Sequence, residues 1–308
     1  MRLLNCMSRN SGPRVSIVIL NWNGRDVIGK TLASVHNQEY PLWEVIVVDN
    51  GSTDGSPAVI SRDFPQVTVI LNEMNVGFAA GINVGIRHAL KRGADSVLLL
   101  NSDARLAPTA TGSMVSAMLA DPQRGVIVPK IYVQSEDFPR RIWAAGAEWR
   151  RCPPRVTMRG YNELERGQYN RGETVAFATG CALLVRRDTF KTAGLMDESY
   201  FMYQEDYAFC DQVRRNGRVL WYEPEAVVRH LVSHSAGEGS ARKWRHWARG
   251  IVLFYVQHYR ARWRAAMALL AFIPWVVMRE TVKAKQGWFI PFFHGLAQGW
   301  DDVRRMGA

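Results

Sequence analysis

The sequence predicts an α/β protein with a mostly parallel central sheet, followed by a helical extension that associates with a membrane surface. Three observations predict it. Short β-branched or aliphatic runs alternate with helix-like stretches through the first hundred residues. The carboxyl ends of four of those runs are rich in Asn, Asp and Gly. After residue 237 the composition shifts to aromatic residues interleaved with basic ones.

The elements follow in order. "VSIVIL" (15–20), "EVIVV" (44–48), "VTVIL" (67–71) and "SVLLL" (96–100) predict strands, and the stretches 25–37, 55–63 and 76–91 predict the helices between them. Such alternation gives βαβ units and a sheet covered on both faces. Residues 132–172, rich in Arg, Gly, Trp and Pro, predict a long loop or hairpin. "TGCALLVRRDTF" then predicts a further strand, and "YQEDYAFCDQVRRNG" a helix that opens on Glu205 and Asp206 and stops at Gly217. Its apolar face would be Phe209, Cys210 and Val213, with Asp211 facing outward. The domain organisation expected is a tail (1–13), two halves of one domain (14–130 and 131–237), and the basic aromatic extension (238–308).

With 308 residues, 47% of them hydrophobic, the chain can bury a large core. Cys6, Cys152, Cys181 and Cys210 form no CxxC pair, which argues against a zinc site or disulfide framework and for a reducing compartment. The first fifteen residues lack the apolar run of a signal peptide, so the catalytic part is expected in the cytoplasm. Residues 241–308 carry twelve Lys or Arg against three acids, +9 of the net +11. The charge-free run there from Ala265 to Met278 is 14 residues and contains Pro274. A spanning helix needs about 20. Interfacial helices on an anionic membrane surface are therefore expected, at the cytoplasmic face and peripheral, beside the plainer reading of a helical cap with a basic face. Nucleic acid is not expected as a partner, because no recognised nucleic-acid module is present.

Ligands of such sheets bind beyond the carboxyl ends of the strands. There the sequence reads "NWNG", "DNGSTDG", "NEMNVGFAAGIN" and "NSD", which line up as one polar crevice. Asp49 can accept from a base N–H or a ribose hydroxyl, Trp22 can stack on a base, and Gly51, Gly77 and Gly81 permit close backbone approach. Neither GxxxxGK[ST] nor GxGxxG occurs. A diphosphate would then need a divalent metal, and Asp103 is placed to hold it.

In their order and spacing, "VSIVILNWNG", "VIVVDNGSTDGS", "NVGFAAGINVGI", "LLLNSDARL" and "TGCALLVRRDTFKTAGLMDESYFMYQEDYAFCDQVRRNG", continued by "VVRHLVSHS", resemble the inverting family-2 glycosyltransferases of the GT-A fold. The similarity is greatest to the branch with bacterial rhamnosyltransferases and galactofuranosyltransferases, and covers about residues 14–237. The resemblance implies a GT-A nucleotide-sugar-binding fold and a donor site drawing on Asn21, Trp22, Asp49, Gly51, Asn75, Gly77, Gly81, Asn83 and Asn101. It implies Mg2+ or Mn2+ held by Asp103 and His230, with His234 competing for the second place. "NSD" keeps the last carboxylate of the family's DxD-type motif and replaces the first by Asn101, which brings no charge to the metal. Asp206 would be the general base with Glu205 beside it, although acids in a helix's first turn also complement its dipole. Thr179 and Gly180 would lie near the reacting sugar. The activity implied is transfer of rhamnose or a similar sugar from a dTDP- or UDP-sugar to a glycan or lipid-linked acceptor in cell-envelope polysaccharide synthesis. A non-catalytic nucleotide-sugar or glycan-binding protein on the same fold is the alternative, against which a base at Asp206 argues.

Overall fold

The computed structural model describes residues 12–135, 140–231, 240–282 and 287–306; His234 and most of the N-terminal tail lie outside them. The elements run β1 (Val15–Asn21), α1 (Arg25–His36), β2 (Glu44–Asn50), α2 (Ser56–Asp63), β3 (Thr68–Asn72), α3 (Phe78–Lys91), β4 (Ser96–Asn101), β5 (Ala104–Leu106), α4 (Ala110–Leu119) and β6 (Arg124–Val133). The second half continues with β7 (Ile142–Ala144), β8 (Ala147–Arg151), β9 (Pro154–Met158), β10 (Glu173–Val175), β11 (Ala182–Arg186), α5 (Arg187–Ala193), α6 (Glu205–Arg215) and β12 (Val219–His230). Three helices close it: α7 (Ala241–Tyr259), α8 (Arg262–Val282) and α9 (Phe289–Met306).

The main sheet has the order β10-β12-β6-β11-β4-β1-β2-β3. Strands β3, β2, β1 and β4 are parallel, as the alternation predicts. The sheet as a whole is mixed rather than mostly parallel, because β11 inserts antiparallel to both β4 and β6. The predicted loop at 132–172 contains β7, which adds to β6, and the separate β8–β9 hairpin.

Side chains alternate across each strand. In β4, Leu98 and Leu100 pack with Ile28 and Leu32 of α1 and Met114 of α4 on one face. Val97 and Leu99 pack on the other face, in a cluster that includes Ile82 and Ile86 of α3 and Phe209 and Val213 of α6. That second cluster extends through Ala248, Ile251, Val252 and Phe254 of α7 to Phe272 of α8 and Phe292 of α9. Residues beyond 237 therefore share a core with the sheet. Among the described residues no helix is long and apolar enough to cross a membrane.

Candidate active site

β4 ends at Asn101, and the turn Ser102–Asp103 leads into β5. β5 pairs antiparallel with the end of β12, with Ala104 opposite His230. This register sets two distant residues side by side: His230 Nε2 lies 3.1 Å from Asp103 Oδ1. Leu231 N–H donates to the Asp103 carbonyl at 3.0 Å, and Thr31 Oγ1 donates to that of Ser102 at 2.7 Å, so the turn is held on both sides. Asp103 is 6% exposed. Burial lowers the His230 pKa, but Cys181 and Asp103 outweigh it and push it up to about 10.

Across the cavity, α6 begins after Tyr203 and Gln204, both in the left-handed region at φ 72° and 75°. Two consecutive non-glycine residues there are strained, and such strain concentrates at functional sites. The turn delivers Asp206 with Oδ2 accepting from Gly180 N–H at 2.9 Å and Oδ1 from Tyr207 N–H at 2.8 Å. Burial pushes the Asp206 pKa up to about 6, against the pull of those two hydrogen bonds. Burial, and then the Asp206 charge, raise that of Glu205 well above the carboxylate range. Glu205 Oε2 is buried and meets no hydrogen-bond partner among the described residues.

A cavity of about 350 Å³ joins the two corners. Of the residues singled out in the sequence, Trp22, Asn75, Asn101, Asp103, Thr179, Gly180, Glu205, Asp206 and His230 line it. Asn21, Asp49, Gly51, Gly77, Gly81 and Asn83 do not, and each has another task. Asp49 is 2% exposed, its Oδ2 accepting from Asn21 Nδ2 and Ser52 Oγ and its Oδ1 from Ser52 N–H. Asn21 and Asp49 thus tie the ends of β1 and β2 together; the sequence expects a ribose or base contact from Asp49 and a donor-binding role for Asn21. Asn83 ties α3 to Met196 and Glu198. The glycines admit neighbouring chain segments: a Cβ on Gly77 (φ 91°) would meet the Phe201 carbonyl at 2.5 Å, and one on Gly51 the Met74 backbone at 2.7 Å. On Gly81 it would meet the Leu20 side chain.

Other lining residues carried no signal that singled them out. Asn50, next to Asp49, faces the cavity and holds Asn75 and Gly77 in place through Nδ2. Lys243 and Trp247 enter from α7, and the Arg242 guanidinium sits 5.3 Å from the Trp22 ring centroid. Asp211, predicted to face outward, is buried, pairing with Arg215 at 2.6 Å and His258 at 3.2 Å where α7 covers α6.

A divalent ion fits the Asp103–His230 corner. Their 3.1 Å separation is close to that of adjacent ligands about 2.1 Å from an octahedral ion. No cluster of three His, Cys, Asp or Glu able to hold a metal occurs among the described residues. Further ligands would come from water and phosphate oxygens, the usual arrangement for magnesium. Capture of an ion would release the imidazole proton.

The family model described as Glycosyl transferase family 2 matches residues 16–194, more than half of the chain. The chain is 27% identical over 271 residues to an N-acetylglucosaminyl-diphospho-decaprenol L-rhamnosyltransferase of Mycobacterium tuberculosis, spanning 82% of this chain and 87% of that one. Among solved structures, GalNAc-T7 with UDP, GalNAc and Mn2+ superposes with a TM-score of 0.61 at 19% identity, over 80% of this chain and 50% of that one. The mannosyltransferase PcManGT from Pyrobaculum calidifontis, with GDP-Man and Mn2+, gives 0.58 at 19% identity over 94% and 84%. These two likenesses establish the fold, which is GT-A.

Proposed function

The chain belongs to glycosyl transferase family 2 and is a glycosyltransferase; on that premise we propose that it is metal-dependent and inverting. It would move rhamnose or a similar sugar from a dTDP- or UDP-sugar to a lipid-linked or glycan acceptor in cell-envelope polysaccharide synthesis. The observation that carries the proposal is the convergence of Asp103 and His230, from the donor half and the last strand, with Asp206 on one cavity.

Asp206 Oδ accepts the proton of the acceptor hydroxyl as that oxygen bonds to the anomeric carbon and the bond to the diphosphate breaks. The Gly180 and Tyr207 N–H groups aim the carboxylate, and Glu205, kept neutral, can donate to a sugar hydroxyl. Trp22 and Asn75 line the wall available to the nucleoside, while Asn101 lies beside Asp103 for a ribose hydroxyl. Asp103 and His230 would hold Mg2+ or Mn2+, which when bound neutralises charge on the departing diphosphate.

Attachment is proposed to be peripheral, to anionic lipid at the cytoplasmic face. Trp263, Met267, Leu270 and Met278 form an exposed stripe at helical spacing along α8, in the segment that carries the +9 excess. The test of function is a panel of nucleotide sugars with a lipid-linked acceptor, scored by nucleoside diphosphate release. One donor class should turn over, and Asp206→Asn should slow it by about 10²–10⁴-fold with donor affinity kept. Equal rates in both proteins would remove Asp206 as the base.

A further inference from the structure

A second cleft lies between α7 and α9, lined by Arg242, Arg245, His246, Ile290, His294 and Gln298. Among the described residues its charges are poorly matched. Arg249, one turn further along, is paired with Asp302 at 2.6 Å. Arg242 lies over the Trp22 and Phe201 rings and Arg245 donates to Gln298 at 3.0 Å; neither meets a carboxylate among the described residues. Like charges three apart on one helix repel each other, and an anion between them relieves that. His246 stacks on Phe201 with centroids 4.7 Å apart, and its buried Nδ1 meets no partner among the described residues. Burial, followed by Arg242, Arg249 and Arg245, lowers its pKa, so it offers a neutral N–H or lone pair.

The rim of this cationic cleft is apolar. Ile290 is 68% exposed and Phe289 53% exposed at the start of α9. A free nucleotide has no use for such a rim, and a flat headgroup layer has no use for a cleft. The cleft also adjoins the catalytic cavity: Arg242 covers Trp22, and the next residue, Lys243, lines that cavity.

We propose that the α7–α9 cleft binds the diphosphate of a lipid-anchored acceptor, with the lipid leaving over Phe289 and Ile290 and the attached sugar directed toward Asp206. The proposal rests on the transferase reading and adds the site that recognises the acceptor. Arg242, Arg245 and His294 supply charge or donors to the phosphate oxygens, and the exposed side chains of α9 cover the first isoprenoid or acyl carbons.

The experiment is calorimetric titration of farnesyl diphosphate into the full chain and into Arg245→Gln/His294→Gln, whose two positions are exposed and outside the catalytic cavity. Binding should weaken at least about tenfold in the variant, with affinity for UDP or dTDP unchanged. The nucleotide arm speaks only to the transferase reading, so the two can fail separately. Equal farnesyl diphosphate affinity in both proteins would overturn the proposal. So would inorganic diphosphate binding as tightly as farnesyl diphosphate. Equal loss of co-sedimentation with phosphatidylglycerol vesicles would reassign the cleft to headgroup contact and overturn it as well.

Discussion

Asp206 combines an exposed enough position to meet the cavity with enough burial to push its pKa up to about 6. It is protonated below that value and ionised above it, and only the ionised form can act as base. kcat/KM should therefore rise about tenfold per pH unit below the midpoint and level off above it. Stability runs the other way. A carboxyl raised in the folded state contributes fully below its unfolded pKa and loses that contribution as pH passes through about 6. Because burial and the Asp206 charge favour the protonated form of Glu205, Glu205→Gln should leave the activity midpoint within about one unit; a larger fall would mean that Glu205 carries charge beside Asp206. At the other corner, Asp103→Ala should abolish turnover and Mn2+ binding measured by paramagnetic resonance, and full wild-type activity in excess chelator would contradict the metal role. Asp103, Glu205, Asp206 and His230, which line the cavity, were legible because each stands out by type at the end of a strand or the start of a helix. Asn50 was not: a sequence shows that "VVDN" ends a strand but not which of its two polar side chains turns toward the ligand.

At the level of elements, α9 is seated on α7 by Gly295 and Gly299, where a Cβ would meet Ala248 Cβ at 2.9 Å and Val252 Cβ at 2.7 Å. Gly299→Val should therefore push the helices apart and lower stability by about 1–3 kcal/mol, the usual cost of overpacking, read as a fall in Tm. An unchanged Tm would mean that α9 is free to shift. The seat matters to the site because α7 in turn covers the strained Tyr203–Gln204 turn, with Gly250 admitting the Tyr203 carbonyl. Helices α1 to α3 and the first four strands fall close to their predicted bounds, because periodicity and loop residues are local signals. The antiparallel insertion of β11 was not legible, since a run such as "ALLV" carries no direction. Nor was the burial of Asp211, which depends on α7 closing over α6 from more than forty residues away.

For the whole molecule, the charge step at residue 240 suggests a detachable tail, yet Trp244, Ile251, Val252, Leu253, Phe254 and Tyr255 are buried in the cluster that also holds Val97, Leu99 and Phe209. Each such side chain is worth about 1.5–3 kcal/mol, and together they match the about 5–15 kcal/mol that holds a domain folded. Removal of residues 241–308 should thus yield an unfolded or aggregated chain by circular dichroism, and a soluble truncation with native donor affinity would contradict the shared core. On the proposed mechanism, the donor half, the base helix and the C-terminal helices together serve a single displacement at the anomeric carbon. The direct measurement is the anomeric configuration of the product, by NMR, with the donor that the panel selects. A β-linked donor sugar should appear α-linked in the product, and an α-linked one β-linked. A product that retains the donor's configuration would contradict direct displacement with Asp206 as the only base.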